Sequence, residues 1–303
     1  MPAFHTLNRV DPQGTGLLKR LRTVLEMVKI EHTIFALPFA FLGAILAVRD
    51  IPSPAQIGWI LLAMVGARSA AMAFNRLADV SFDARNPRTA NRALPRKQLT
   101  KGFVIAFIIG SSAIFVFAAS MLNDLSLELS PLALGIIFFY SYTKRFTWLT
   151  HMFLGICLAC APIGAWIALR GDITLTPLIL GLAVLLWVAG FDIIYSCQDV
   201  EFDKRETLHS IPKRFGVGAA LWISAGLHLV MLGLLGYLFW REGLGILSFS
   251  GLLAVGLLLA YEHNLVRPAD LSRANTAFFT INGWISILLF LTTMIDLLWN
   301  GSR

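Results

Sequence analysis

Residues 58–92 read GWILLAMVGARSAAMAFNRLADVSFDARNPRTANR. The first part is a run of Ala, Leu, Ile, Met and Val suited to a lipid bilayer, interrupted by Arg68. The second part carries Asn75, Asp79 and Asp83 at intervals of four, then a loop with Arg85, Arg88 and Arg92. A spacing of i, i+4, i+8 places three oxygen-bearing side chains on one face of a helix. The arrangement returns 120 positions later in DIIYSCQDVEFDKRETLHSIPKRFG, residues 192–216, where Asp199 and Asp203 stand in the places of Asp79 and Asp83, and Tyr195 in that of Asn75. Asp192, Tyr195, Asp199 and Asp203 fall at i, i+3, i+7 and i+11, again one helix face.

Outward from these two stretches, the composition describes an all-α, polytopic membrane protein. Of 303 residues, 57% are hydrophobic and 14% charged, with a mean hydropathy of +0.71. A soluble domain carries about 25% charged residues. With roughly 20 apolar residues needed per crossing, the sequence predicts nine spans at about 33–48, 55–79, 102–122, 131–149, 152–169, 176–197, 218–240, 244–262 and 274–298. The formal charge of +7 does not point to nucleic acid, because twenty of the 25 Lys and Arg residues fall on one side of these spans. The positive-inside rule then predicts N-terminus in, C-terminus out, in a bacterial cytoplasmic membrane. Both acidic stretches sit on the cytoplasmic side.

Residues 1–30 show no short apolar core with a small-residue cleavage site. Leu17, Leu21, Val24 and Val28 share one helical face, with Lys19, Arg22, Glu26 and Lys29 largely elsewhere, which predicts an interfacial segment leading into the first span. No Pro/Ser-rich linker divides the chain, so 1–303 reads as one membrane-embedded domain. The two acidic stretches lie four spans apart, which makes spans one to four and five to eight parallel repeats with a ninth span appended. Cys157, Cys160 and Cys197 all fall in spans and read as packing residues, with no disulfide framework.

Four carboxylates at a membrane boundary repel one another and resist desolvation unless cations sit among them. Oxygen-only ligand sets suit hard divalent ions, and Mg²⁺ binds one or two carboxylates together with substrate phosphates. Arg88 and Arg92 follow the first stretch, Lys213 and Arg214 the second, and Lys144 and Arg145 close the fourth span. Carboxylates, a divalent ion and basic side chains on one rim are the ingredients of a diphosphate site. At the bilayer edge that ligand is a polyprenyl diphosphate, its tail in lipid and its head at the rim. Arg68 lies two turns before Asn75 on the same face, and a guanidinium within a span has a function or a partner. A transporter would place such carboxylates near mid-bilayer, whereas these lie at the ends of spans beside basic loops.

NRLADVSFDARNPRTANR resembles the N-x-x-x-D-x-x-x-D…R-T-x-N-R pattern of the UbiA family of intramembrane prenyltransferases. DIIYSCQDVEFD with LHSIPKRFG is similar to that family's second acidic motif, and YSYTKRFT to its Tyr…Lys-Arg segment. The resemblance implies nine transmembrane helices around a central cavity. It implies that Asn75, Asp79, Asp83, Asp199 and Asp203 bind diphosphate through Mg²⁺, with Arg92 and Lys144 on its oxygens; Arg88 and Lys213 join the diphosphate-binding set by their place after the two acidic stretches. The implied reaction transfers a polyprenyl group to a hydroxylated aromatic acid, with 4-hydroxybenzoate in a ubiquinone-type route as the expected acceptor. Tyr140 and Tyr195 are expected to shield the allylic cation, Asp192 to serve as base or to orient the acceptor, and Arg68 and His32 to meet the acceptor carboxylate. The entry to the first span departs from the D-K-P-I-G that many members acting on 4-hydroxybenzoate carry, reading KIEHTIFALPFAF, residues 29–41. That variant resembles proteins of a menaquinone route, which makes 1,4-dihydroxy-6-naphthoate the alternative acceptor.

Overall fold

The computed structural model describes residues 23–24, 27–28 and 33–301, the side chains of 33–35 and 300–301 excepted. His32 and most of the interfacial segment lie outside the described residues. Nine long helices run through the rest: α1 (Thr33–Val48), α2 (Pro54–Ala78), α3 (Lys101–Ser120), α4 (Asp124–Thr143), α5 (Thr150–Arg170), α6 (Leu175–Ser196), α7 (Val217–Arg241), α8 (Ile246–Leu265) and α9 (Asn282–Gly301). Eight helical segments are long and apolar enough to cross a membrane, and α1 is a shorter apolar helix of 16 residues. The chain is an integral membrane protein.

Local signals set most boundaries. Ser53 and Gln56 form a reciprocal capping box ahead of α2, with Pro54 in its first turn. Thr100 caps α3, and Gly171 ends α5 in the left-handed region. The fourth span is where the sequence reading needs correction. It was expected at 131–149, but α4 begins at Asp124, capped by Asn123, and ends at Thr143. Pro131 lies inside that helix. Proline is tolerated within a membrane helix because neighbouring groups satisfy the freed carbonyl, so it marks no boundary here. The shift brings Lys144 and Arg145 out of the span and onto the rim.

From α2 to α9 consecutive helices pack as neighbours, and α1 lies against α5 and α9. Helix α6 is central: 67% of its apolar window is buried, against 11% for lipid-facing α4. Its Trp187 is fully buried between Phe39 at 4.8 Å and Phe191 at 5.0 Å, ring centroid to centroid. The α5–α6 seam is tight, since a Cβ on Gly155 would meet the carbonyl oxygen of Leu185. By contrast α1 stands off from α2, and a cavity of about 430 Å³ occupies the first half of the molecule, walled by α1 to α5. A π-helical turn, Ala277–Ile281, leads into α9 and turns Phe278 onto that cavity. Asn282 steadies the turn by donating to the Ala277 carbonyl at 3.1 Å and to buried Glu262 at 2.9 Å.

Candidate active site

Both acidic stretches adopt the same backbone. Helix α2 ends at Ala78, Asp79 sits at φ −98°, ψ 9°, and a new short helix runs over Val80–Arg85. In the second copy α6 ends at Ser196, a 3₁₀ turn spans Cys197–Asp199, Asp199 sits at φ −99°, ψ 3°, and a short helix follows over Val200–Arg205. The expected unbroken column of side chains on each helix is therefore corrected. Each motif is a helix end, a hinge aspartate in the bridge region, and a re-aimed turn bearing the second aspartate. The matching angles support the parallel repeat.

The break brings the two loops together. Arg88 reaches across from the first loop to Asp199, at 2.7 and 3.2 Å, and to the Tyr195 hydroxyl at 2.9 Å. Arg85 forks onto Glu206 at 2.6 to 3.0 Å, and its guanidinium holds the Glu206 carboxyl below its usual range. Every motif aspartate then has its own cation. Arg145 meets Asp79 at 3.1 Å, Arg92 meets Asp83 at 2.6 Å, Arg88 meets Asp199, and Lys144 meets Asp203 at 2.7 Å. Asp83 and Asp203 are buried, with 6% and 0% exposure, and burial on that scale demands such partners. Ser210 donates to the second oxygen of Asp203 at 2.8 Å. Asn75 donates to Asp79 at 3.1 Å and accepts from Arg76 at 3.2 Å.

Would a magnesium ion fit? The donors are all oxygen, and Asp83 Oδ2 is buried with no hydrogen-bond partner among the described residues. An acceptor left open in this way is what a cation can satisfy. Among the described residues no three acidic, His or Cys side chains converge as a ready-made cage. That suits Mg²⁺, which takes a few carboxylates and fills its octahedron with water and substrate phosphate.

The remaining expected residues divide by location. Arg68, Asn75 and Tyr140 line the cavity, joined by Arg76, Cys157 and Phe278. The cavity thus begins at the first motif and runs inward between apolar walls. Cys157 and Cys160 also line it, the Cys157 thiol resting on the Ile136 carbonyl of α4 at 3.7 Å. The Tyr195 ring stacks on Phe278 at 4.4 Å, which carries the aromatic wall from the second motif toward the cavity. Lys213 is turned aside, its ammonium donating to the Leu208 carbonyl at 2.6 Å. Asp192 is held by His151 at 2.6 Å. His151, Ser210 and Phe278 are absent from the sequence-based site. His151 fell between the predicted spans 131–149 and 152–169, so the rule that singled out Arg68 did not reach it; the structure places it in the first turn of α5.

Residues 36–286 match the UbiA prenyltransferase family. A 4-hydroxybenzoate octaprenyltransferase from Tolumonas auensis is 33% identical over 229 residues, which cover 75% of this chain and 79% of that protein. The apo structure of a UbiA homolog from Aeropyrum pernix K1 is similar with a TM-score of 0.80 at 36% identity, covering 88% of this chain and 98% of that one. A UbiA homolog from Archaeoglobus fulgidus bound to DMAPP and Mg²⁺ shares the fold with a TM-score of 0.73 at 19% identity, covering 91% and 99%.

Proposed function

Because this chain belongs to the UbiA prenyltransferase family, we propose that it transfers a polyprenyl group from polyprenyl diphosphate to 4-hydroxybenzoate as a single membrane-embedded domain. The observation that carries this reading is the pairing of four aspartates with four cations at the mouth of an apolar cavity. The relative from Tolumonas auensis supports the acceptor, and the neighbour from Archaeoglobus fulgidus supports a metal-bound allylic diphosphate. The basic loops support a cytoplasmic site in the inner membrane, N-terminus in and C-terminus out.

Asp79, Asp83, Asp199 and Asp203, with Asn75, would hold Mg²⁺, which when bound supplies the positive charge that neutralises a departing diphosphate. Arg92 and Lys144 exchange their carboxylate partners for diphosphate oxygens, with Arg88 and Arg145 beside them. The allylic C–O bond breaks with its electron pair on the diphosphate. Tyr140, Tyr195 and Phe278 shield the allylic cation with their ring faces and exclude water from it. Arg68 orients the acceptor by its carboxylate. The ring carbon ortho to the hydroxyl forms the new C–C bond, and the displaced ring proton passes to Asp192.

The test uses membranes carrying the full chain, one polyprenyl diphosphate, and a panel that includes 4-hydroxybenzoate and 1,4-dihydroxy-6-naphthoate, read by mass spectrometry. Prenylated 4-hydroxybenzoate is expected. Product on the naphthoate alone reassigns the acceptor, and no transfer to any phenolic acid overturns the reading.

A further inference from the structure

We propose that His151 is a positioning residue that aims the Asp192 carboxylate at the acceptor and ties it to the diphosphate end of the site. The proposal rests on the reading of Asp192 as the group facing the acceptor. His151 lies in the first turn of α5 and is 1% exposed, so it cannot itself meet a substrate. Asp192, across the seam on α6, keeps a side-chain exposure of 17%.

The two ring nitrogens have separate tasks. His151 Nε2 accepts the backbone N–H of Ile211 at 3.4 Å. A nitrogen that accepts carries no proton, so the neutral ring bears its proton on Nδ1 and donates it to Asp192 Oδ2 at 2.6 Å. Asp192 Oδ1 takes none of the hydrogen bonds formed among the described residues and is left for the acceptor. Ile211 opens a short helix, Ile211–Phe215, whose cap is Ser210. The Ser210 hydroxyl accepts from the Lys213 N–H at 3.3 Å and donates to Asp203 at 2.8 Å. One hydrogen-bonded path therefore runs from Asp203, through Ser210, the Ile211 backbone and His151, to Asp192.

Two substitutions separate the two nitrogens. In His151→Asn the amide nitrogen falls near Nδ1, so donation to Asp192 survives while the Ile211 contact is lost. In His151→Gln the amide oxygen falls near Nε2, so the Ile211 contact survives while donation to Asp192 is lost. Each is measured beside Asp192→Asn for kcat, for KM of both substrates and for melting temperature in detergent. The expected result is that His151→Asn retains most of kcat. His151→Gln should lose about 10–100-fold in kcat, the usual cost of removing an orienting partner, with KM for the prenyl diphosphate little changed. If His151→Gln turns over like wild type while Asp192→Asn does not, the positioning role is wrong and Asp192 keeps its place. If Asp192→Asn itself turns over like wild type, the reading beneath the proposal fails. Equal losses in both histidine variants, tracking melting temperature, would reduce His151 to a structural residue and overturn the proposal.

Discussion

Replacing Asp83 by Asn isolates the charge of one carboxylate at nearly constant shape. Asp83 Oδ1 meets Arg92 at 2.6 Å, and its buried Oδ2 has no donor among the described residues. An asparagine there must keep its oxygen toward Arg92 and turn its amide hydrogens into the place meant for a cation. The cost to stability follows from exposure, since the Arg92 side chain is 27% exposed and that of Asp83 8%. The pair stands between exposed pairs, worth about 0–1 kcal/mol, and fully buried ones, whose breakage costs about 3–5 kcal/mol. A loss of roughly 1–2 kcal/mol is expected, small beside the ~5–15 kcal/mol that holds a typical domain folded. Losing one group that stabilises developing charge costs about 10²–10³ in kcat, or ~2.7–4 kcal/mol of the barrier. Turnover should therefore collapse while the protein remains inserted and folded. The assay measures prenylated product in membranes, beside the melting midpoint of the same preparation. Turnover within about threefold of wild type at saturating Mg²⁺ would refute the reasoning.

Two further outcomes follow from the same geometry. Chelation by EDTA should abolish transfer, and excess Mg²⁺ should restore it; activity that survives chelation contradicts a site built on oxygen donors and an open carboxylate. Gly155→Val should force α5 from α6 by pressing on the Leu185 backbone, at about 1–3 kcal/mol for overpacking, and an unchanged melting midpoint in detergent would show that the seam can open without cost.

The nine helices were legible because lipid makes hydrophobicity almost the whole boundary signal. Where charged residues begin a helix, as Asp124 and Glu128 do in α4, that signal starts late, and Pro131 reinforced the error. The residues of the acidic site were legible from type and spacing, but their backbone was not. A four-residue interval reads equally as a continuous helix face or as a hinge between two helices, and only tertiary packing decides. Cross-loop partners were out of reach for the same reason, since nothing local links Arg88 to Asp199 or Arg85 to Glu206. His151 escaped notice because its two partners, Asp192 and Ile211, lie 41 and 60 residues away.

The pairing of each aspartate with one base explains how such a site can exist at a membrane boundary before any ligand arrives. A carboxylate as buried as that of Asp203 needs a charged partner, and Lys144 stands at 2.7 Å. Four negative and four positive side chains cancel formally, so the rim folds with no net charge to desolvate. Under the proposed function a metal-bound diphosphate would bring cation and anion together, so that both sets of side chains could change partners without leaving either bare. Basic groups on long, flexible stems serve this exchange. Arg88, Arg92, Lys144 and Arg145 all stand on loops or helix ends, while the carboxylates they leave stand at hinges or on short helices. The placement of basic residues after each acidic stretch thus has a physical cause beyond membrane orientation: they pair with the buried carboxylates, and under the proposed function they would become diphosphate ligands when the site fills.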